Sequence, residues 1–484
     1  MSTQSRIKFT HERLVINLSW LTALKTLVLI ILSIAAAWLP VPGLDVVSRT
    51  CLVIFAMAAA LWITELIPPY ATAIMVIVLC VFLLGHPDTS VAPDNNRIAS
   101  YRLFLNPIAS PVLVLFFGGF ILARGATKHG FDAQLARAFV SPFGNKPRMV
   151  VLGVILTTGL WSMFMSNTAT TAMMIAILNP FFLNLDQRDN LKKMLVLAVP
   201  FAANIGGMGT VIGTPPNAVA ASLLTSMGFP IPFLNWMLLG VPVAVTLLIV
   251  LWLLLLVMFP LKQKKLEITF EKNLVITPGL AVVVSTFTVT VLMWLTEPLH
   301  HIPAAVVAML PIAVFTATGI IDRNDLRGLD WDVLILVAGG LTLGVAINAS
   351  GLAEVIVDQI PFGSIPSYAI IIAVAVLTAV VSNFMSNTSA ANLMIPIVTA
   401  ISALSPVLGA LVVAFAASLA MSLPISTPPN AIAFATRAIT TRDMVKYGTA
   451  ISICGLILVM TAFLTIGDLL EKLAVPIAGA AHNP

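Results

Sequence analysis

Met165-Ser166-Asn167-Thr168 recurs as Met385-Ser386-Asn387-Thr388, and Gly213-Thr214-Pro215-Pro216-Asn217-Ala218 recurs as Ser426-Thr427-Pro428-Pro429-Asn430-Ala431. The offsets are 386 − 166 = 220 and 427 − 214 = 213, so both pairs run in the same order and nearly in register. Each motif is polar and helix-breaking, and each interrupts an apolar stretch. Matching interruptions in two halves of one hydrophobic chain point to a transporter with its binding site between structural repeats.

Composition places the chain in a membrane. Of its 484 residues, 59% are hydrophobic and 9% charged, against about 25% charged in soluble domains. Stretches such as 241–260 are too long and apolar for ordinary core helices. Arg6, Lys8 and Arg13 precede no small-residue cleavage site, so no removable leader is expected. Cys51, Cys80 and Cys454 stand in separate apolar segments and read as packing residues. The net charge of +5 resides in loops between spans and is a topology signal, with no nucleic-acid partner implied.

Apolar runs of about 20 residues predict eleven transmembrane helices near 21–39, 46–67, 70–85, 109–127, 194–226, 234–259, 276–297, 302–320, 332–350, 408–436 and 447–470. Basic residues cluster in alternate loops, which puts the N-terminus in the cytoplasm and the C-terminus on the extracellular or periplasmic side of a cell membrane. Two stretches differ. The segment 149–185 is uncharged but flanked by cations at both ends, which favours a re-entrant hairpin from the cytoplasmic side with Ser166-Asn167-Thr168 at its tip. Its counterpart 362–405 lacks nearby cations and suits a hairpin dipping from outside, tipped by Ser386-Asn387-Thr388. One hairpin from each side is an inverted-topology repeat. Weaker echoes agree with it: Trp62-Ile63-Thr64-Glu65 with Trp294-Leu295-Thr296-Glu297, and Gly118-Gly119 before Gly130 with Gly339-Gly340 before Gly351. Thr127–Val140 reads as an interfacial amphipathic helix with Phe131, Leu135 and Phe139 on its apolar face.

The motifs carry a specific chemistry. The paired prolines should unwind their helices, freeing carbonyls for a cation and leaving an amide-rich restarted helix for an anion. Ser, Asn and Thr at the tips are good N-caps and offer hard oxygen ligands. No Lys, Arg, His, Asp or Glu occurs between Met194 and Leu261 or between Gln359 and Thr436. A proton relay and a basic partner for an anion are both missing there, which favours a cation-coupled anion carrier using sodium over protons. Glu65 and Glu297 lie near span ends, outside the expected site.

At these residues the chain resembles the divalent anion/sodium symporter (DASS) family, the INDY-type sodium/dicarboxylate transporters. The two Ser-Asn-Thr motifs, each followed by a Thr-Pro-Pro-Asn break, carry the resemblance over essentially the whole chain. It implies a homodimer whose protomers pair a scaffold domain with a mobile, elevator-like transport domain. It also implies two sodium sites, one built from Ser162, Ser166, Asn167 and the Gly213 carbonyl, the other from Ser382, Ser386, Asn387 and the Ser426 carbonyl. Substrate carboxylates would meet Asn167, Thr168, Asn387 and Thr388, with Thr214, Thr427 and Pro428 close by. Ser426 departs from Gly213 but keeps the carbonyl.

The expected organisation is therefore scaffold helices of the first repeat over 1–108, a span with the amphipathic helix over 109–145, and the first transport-domain part over 146–233. A span and cytoplasmic loop follow over 234–275. Scaffold and arm of the second repeat cover 276–361, its transport-domain part 362–440, and a last span and tail 441–484. The reading is a sodium-coupled symporter of C4-dicarboxylates (succinate, fumarate or malate), embedded in membrane lipid and not an enzyme. Its rivals are a sodium-independent dicarboxylate or tricarboxylate exchanger and, in another class, an anion channel. The sequence leaves the exact substrate and the sodium stoichiometry open.

Overall fold

A computed structural model describes residues 25–33, 35, 43–86, 99–182, 185, 186, 189–261, 277–359, 365–401 and 403–473, with side chains to 465. Their regular structure is helical apart from one two-residue parallel pairing, Gly85-His86 with Ala99-Ser100. Among them six helices are long and apolar enough to cross a membrane: Val46–Thr64, Arg102–Lys128, Phe233–Met258, Pro278–Leu295, Trp331–Ala349 and Thr441–Thr465. They fall on six of the expected spans. The expected 70–85 and 302–320 are the shorter helices Pro69–Leu84 and Ala304–Ala317. Of the expected span 21–39, residues 25–33 and 35 are described and helical; the loop 262–276 and the side chains beyond 465 lie outside the described residues.

Two expected spans are not continuous. The stretch 194–226 divides into Asn190–Gly207 and Pro215–Ser226, and 408–436 divides into Pro406–Ser418 and Pro428–Ala435. The prolines sit differently from the sequence expectation. They do not unwind a helix around themselves; they open the following one, at the first two positions, where no amide partner is needed. The unwound backbone lies wholly before them.

Both expected hairpins are present as helix–turn–helix units whose first arms match at 16 residues and whose second arms run 16 and 13. Pro147–Ser162 turns at 163–166 into Asn167–Phe182, and Ser367–Ser382 turns at 383–386 into Asn387–Thr399. The weaker echoes also have physical content. The buried Trp62 indole donates to the Pro69 carbonyl at 3.1 Å and the buried Trp294 indole to the Ala304 carbonyl at 3.0 Å, each pinning one helix to the next. Gly130 and Gly351 take left-handed backbone (φ +67° and +69°) as they begin Phe131–Val140 and Leu352–Asp358, a conformation glycine adopts without strain. Within Thr127–Val140 the bounds differ from the expected ones. The helix starts only after Gly130, and the face it buries is Asp132, Ala136 and Val140, while Phe139 points outward. Phe131 packs edge-on against Trp161 and Phe287, at 5.7 and 5.4 Å between centroids.

The centre of the molecule is Asn190–Gly207 and its counterpart Pro406–Ser418, both buried along nearly their whole length. Each packs on the hairpin of its own repeat. The second halves of the broken helices are exchanged. Pro215–Ser226 packs on Asn387–Thr399 and Pro406–Ser418 of the second repeat, and Pro428–Ala435 packs on Asn167–Phe182 and Asn190–Gly207 of the first. The breaks themselves stay on their own hairpin tips, with Thr210 donating to the Met163 carbonyl and Ser426 to Asn383, so it is the restarted helix that crosses to the other repeat.

Candidate transport site

Four helices begin at one cavity of about 580 Å³. Two are the second hairpin arms, starting at Asn167 and Asn387, and two are the exchanged halves, starting at Pro215 and Pro428. Ser166, Asn167, Thr168, Gly213, Thr214, Ser386, Asn387, Thr388, Ser426, Thr427 and Pro428 all line it. Ser162 and Ser382 lie behind the tips and hold them. Ser162 Oγ donates to Asn167 Oδ1 at 2.5 Å, and Ser382 Oγ donates to Asn387 Oδ1 at 2.8 Å.

The tips present amides. Ser166 Oγ accepts from the Ala169 amide at 3.3 Å and Ser386 Oγ from the Ser389 amide at 3.1 Å. Each serine thus caps the third amide of its helix and leaves the earlier ones, which have no intrahelical partner, at the cavity with the positive end of the helix dipole. The helices restarted at the breaks present no amides from their first three positions, contrary to the sequence expectation. Two prolines supply no N–H, and the next amide is already taken: Asn217 N reaches the Thr214 carbonyl at 3.1 Å, and Asn430 N reaches Thr427 Oγ1 at 3.3 Å. The breaks contribute hydroxyls, carbonyls and the helix field.

The asparagines of the breaks shape the loops before them. Asn217 Nδ2 donates to the carbonyls of Thr210 (2.8 Å), Gly207 (3.1 Å) and Met208 (3.4 Å). Asn430 Nδ2 donates to those of Leu423 (2.9 Å) and Met421 (3.1 Å).

Oxygen atoms outnumber protons behind both tips. Turned about its amide, Asn167 would place nitrogen 3.1 Å from the Ala203 carbonyl, 3.2 Å from the Gly213 carbonyl and 2.5 Å from Ser162 Oγ. With oxygen in that place, two carbonyls and an amide oxygen converge with only the Ser162 proton among them. In the second repeat the single Ser382 hydroxyl serves both Asn387 Oδ1 and the Ala417 carbonyl, at 2.8 and 3.0 Å. Clusters of hard oxygens short of protons fit an alkali cation. Ser426 turns its hydroxyl away, donating to Asn383 at 3.0 and 3.2 Å.

Three features of the cavity escape the sequence reading. Asn204, 1% exposed, lines the cavity between Asn167 and Thr427. It is the one polar side chain of the apolar stretch 194–207 and has no duplicate, so repetition gives no signal for it. Arg124 also stands on the wall, correcting the expectation that no basic side chain is near; it comes from a distant helix and pairs with Asp325 at 3.0 Å. Asp330 and Asp332 share that rim. Burial first, and then the Asp332 charge, push the Asp330 carboxyl above its ordinary range, against the pull of Arg124. Glu65 and Glu297 are not among the lining residues.

A cavity carrying small polar groups where helices break and restart inside an apolar, duplicated chain is the architecture of a membrane transporter. The profile of the citrate transporter family (CitMHS) matches residues 59–409 and 291–480. The chain belongs to that family, a DASS-type group of transporters. It is 30% identical over 450 residues to the sodium-dependent dicarboxylate transporter SdcS of Staphylococcus aureus, covering 83% of this chain and 82% of that one. An uncharacterized transporter of Haemophilus influenzae is 31% identical over 433 residues, 85% of this chain and 90% of the other. Among solved structures the Alcanivorax borkumensis YdaH transporter aligns with a TM-score of 0.59 at 12% identity, over 84% of this chain and 100% of that one, a likeness of fold alone.

Proposed function

We propose that the protein is a secondary active transporter that imports C4-dicarboxylates together with sodium by an elevator movement. The observation that carries the proposal is the meeting of both hairpin tips and both breaks at one cavity whose own segments hold no charged side chain. A dianion there is costly to desolvate. The dipoles and first amides of the helices beginning at Asn167 and Asn387 offset part of its charge, with the hydroxyls of Thr168, Thr388, Thr214 and Thr427 as further donors and the Pro428 ring closing one side. Sodium offsets the rest. One ion is held by Ser162, Ser166, Asn167 and the Gly213 carbonyl, the other by Ser382, Ser386, Asn387 and the Ser426 carbonyl. The oxygen-rich clusters behind the tips support these assignments, as does the sodium-dependent dicarboxylate transport named for the staphylococcal relatives.

The transport domain comprises 146–233 and 362–440, the scaffold comprises 1–108 and 276–361, and two copies of the chain form a homodimer through their scaffolds. The N-terminus lies in the cytoplasm and the C-terminus outside, in keeping with the basic loops. The family profile of citrate transporters and the Arg124 guanidinium on the cavity wall favour one second reading, a tricarboxylate as substrate.

The test is uptake of labelled succinate, fumarate, malate and citrate into proteoliposomes with and without sodium. Saturable succinate uptake that requires sodium, with a Hill coefficient above one for the ion, is expected. Uptake unchanged in sodium-free medium would make the protein an exchanger, and citrate outrunning all dicarboxylates would establish the second reading.

A further inference from the structure

We propose that Asn204 is a positioning residue that couples the first cation site to the substrate through a reversible hydrogen-bond relay, Asn167–Asn204–Thr427. The inference rests on the sodium-coupled reading above and adds the residue that communicates between ion and anion.

Asn204 is buried and spans the two repeats. Asn167 Nδ2 donates to Asn204 Oδ1 at 3.4 Å, and Asn204 Nδ2 donates to Thr427 Oγ1 at 3.2 Å. Thr427 Oγ1 also accepts from the Asn430 amide at 3.3 Å. A threonine oxygen has two lone pairs and one proton. Both lone pairs are used here, so the proton is left for the cavity that Thr427 lines, where a carboxylate accepts it.

The opposite arrangement follows from turning one amide. When the Asn167 nitrogen takes the place facing the Ala203 and Gly213 carbonyls and Ser162 Oγ, its oxygen faces Asn204. Asn204 then turns its nitrogen toward that oxygen, and its own oxygen faces Thr427. Thr427 gives it the proton and shows only a lone pair to the cavity, which repels a carboxylate. A cation among the Asn167, Ala203, Gly213 and Ser162 oxygens requires oxygen from Asn167 and so selects the first arrangement. Binding the ion presents a donor to the anion two residues away.

The relay belongs to one repeat only. The break offset of 213 carries Asn204 to 204 + 213 = 417, which is Ala417. The second tip has no side chain with which to build an equivalent, so the first ion carries this coupling.

Calorimetry of succinate binding to the full chain, in sodium chloride and in choline chloride of equal strength, reads the relay as a ratio of two affinities. Succinate is expected to bind wild type more tightly in sodium by a factor in the range of about 5 to 150. In Asn204→Ala the ratio is expected to fall below about fivefold, the lower end of ordinary couplings, while sodium alone still binds. Thr427→Val should lose the ratio in the same way, and Thr427→Ser, which keeps the hydroxyl, should retain it. A wild-type ratio of one removes the sodium-coupled reading itself. A normal wild-type ratio that survives in Asn204→Ala overturns the relay, as does a fall of both affinities that leaves the ratio unchanged, since packing alone would give that. Should Asn204→Ala not fold, the Thr427 pair decides: a ratio undiminished in Thr427→Val overturns the relay.

Discussion

Asn217 and Asn430 stand in the same relation to two copies of one loop. Seven residues back, the Thr210 carbonyl accepts from Asn217 Nδ2 at 2.8 Å and the Leu423 carbonyl accepts from Asn430 Nδ2 at 2.9 Å. Nine back, Met208 and Met421 accept at 3.4 and 3.1 Å. Both asparagines are wholly buried and neither lines the cavity. Irregular backbone at membrane depth must be satisfied within the protein, and these two side chains do it.

Asn217→Ala and Asn430→Ala are therefore expected to cost about 1–3 kcal/mol each by leaving buried carbonyls unpartnered, and to lower uptake although neither residue reaches the substrate. Thermal unfolding in detergent and uptake into proteoliposomes check this. Wild-type stability in both variants would show that the loops hold without the staples.

Gly207 sits close under the first tip. A Cβ there would lie 2.7 Å from Asn167 Oδ1 and 2.9 Å from the Gly213 carbonyl oxygen, both too close. Overpacking of this kind costs about 1–3 kcal/mol. Here the cost falls on the ion ligands, so Gly207→Ala should weaken the apparent sodium affinity about tenfold or more. Asn167→Ala and Asn387→Ala should go further and abolish uptake while the protein still reaches the membrane. Gly119→Ala, whose Cβ would meet Ile212 at an ordinary 3.4 Å, should keep uptake. Normal sodium dependence in Gly207→Ala would separate this glycine from the ion site.

Asp322 and Asp325 tie the two repeats together at the cavity rim. Asp325 accepts from Arg124 and Lys128 at 3.0 and 2.5 Å, and Asp322 accepts from Lys128 at 3.0 Å. The Asp325 amide, then Lys128 and the Asn324 amide, hold the Asp322 carboxyl at about 2 against an ordinary 3.8. A lowered folded value means stability that is present above the ordinary pKa and is lost as pH falls through the folded one. The melting temperature should therefore drop between about pH 4 and pH 2, and Asp322→Asn should flatten that drop. An identical acid profile in the variant would exclude Asp322 as its source.

An elevator keeps the tips and breaks together while they move past fixed helices. Single cysteines on 147–182 and 367–399, in a background without Cys51, Cys80 and Cys454, should become reachable from alternate sides as sodium and succinate are added. Cysteines on 46–84 and 278–317 should not. Thiol labelling from each side of right-side-out and inverted vesicles reads the difference. Equal changes in both sets would mean that the site is dismantled instead of carried.

The duplicated motifs made much of this legible in the chain. Short polar interruptions in apolar segments are costly unless buried together, so their recurrence at matching places gave the hairpins, the breaks and the cavity-lining residues Ser166, Asn167, Thr168 and their counterparts. The Trp62 and Trp294 echoes proved to be equivalent indole pins. The apolar pattern could not place the prolines, because a double proline reads as a break whether it lies in the middle of one helix or at the start of the next.

What the chain determined by itself was local: which segments are apolar, where helices stop, and which small polar residues stand at the stops. Partner choice was left to tertiary packing. The exchange that seats Pro215–Ser226 on the second hairpin and Pro428–Ala435 on the first joins residues more than two hundred positions apart, and apolar helix faces look alike in sequence. Asn204 became legible only then, since a single buried amide has no repeat or pattern to announce it and takes its meaning from lying between Asn167 and Thr427. Arg124, Asp330 and Asp332 reached the cavity rim for the same reason. Hydrophobic burial says that a helix must be covered, and only complementary surfaces decide by what.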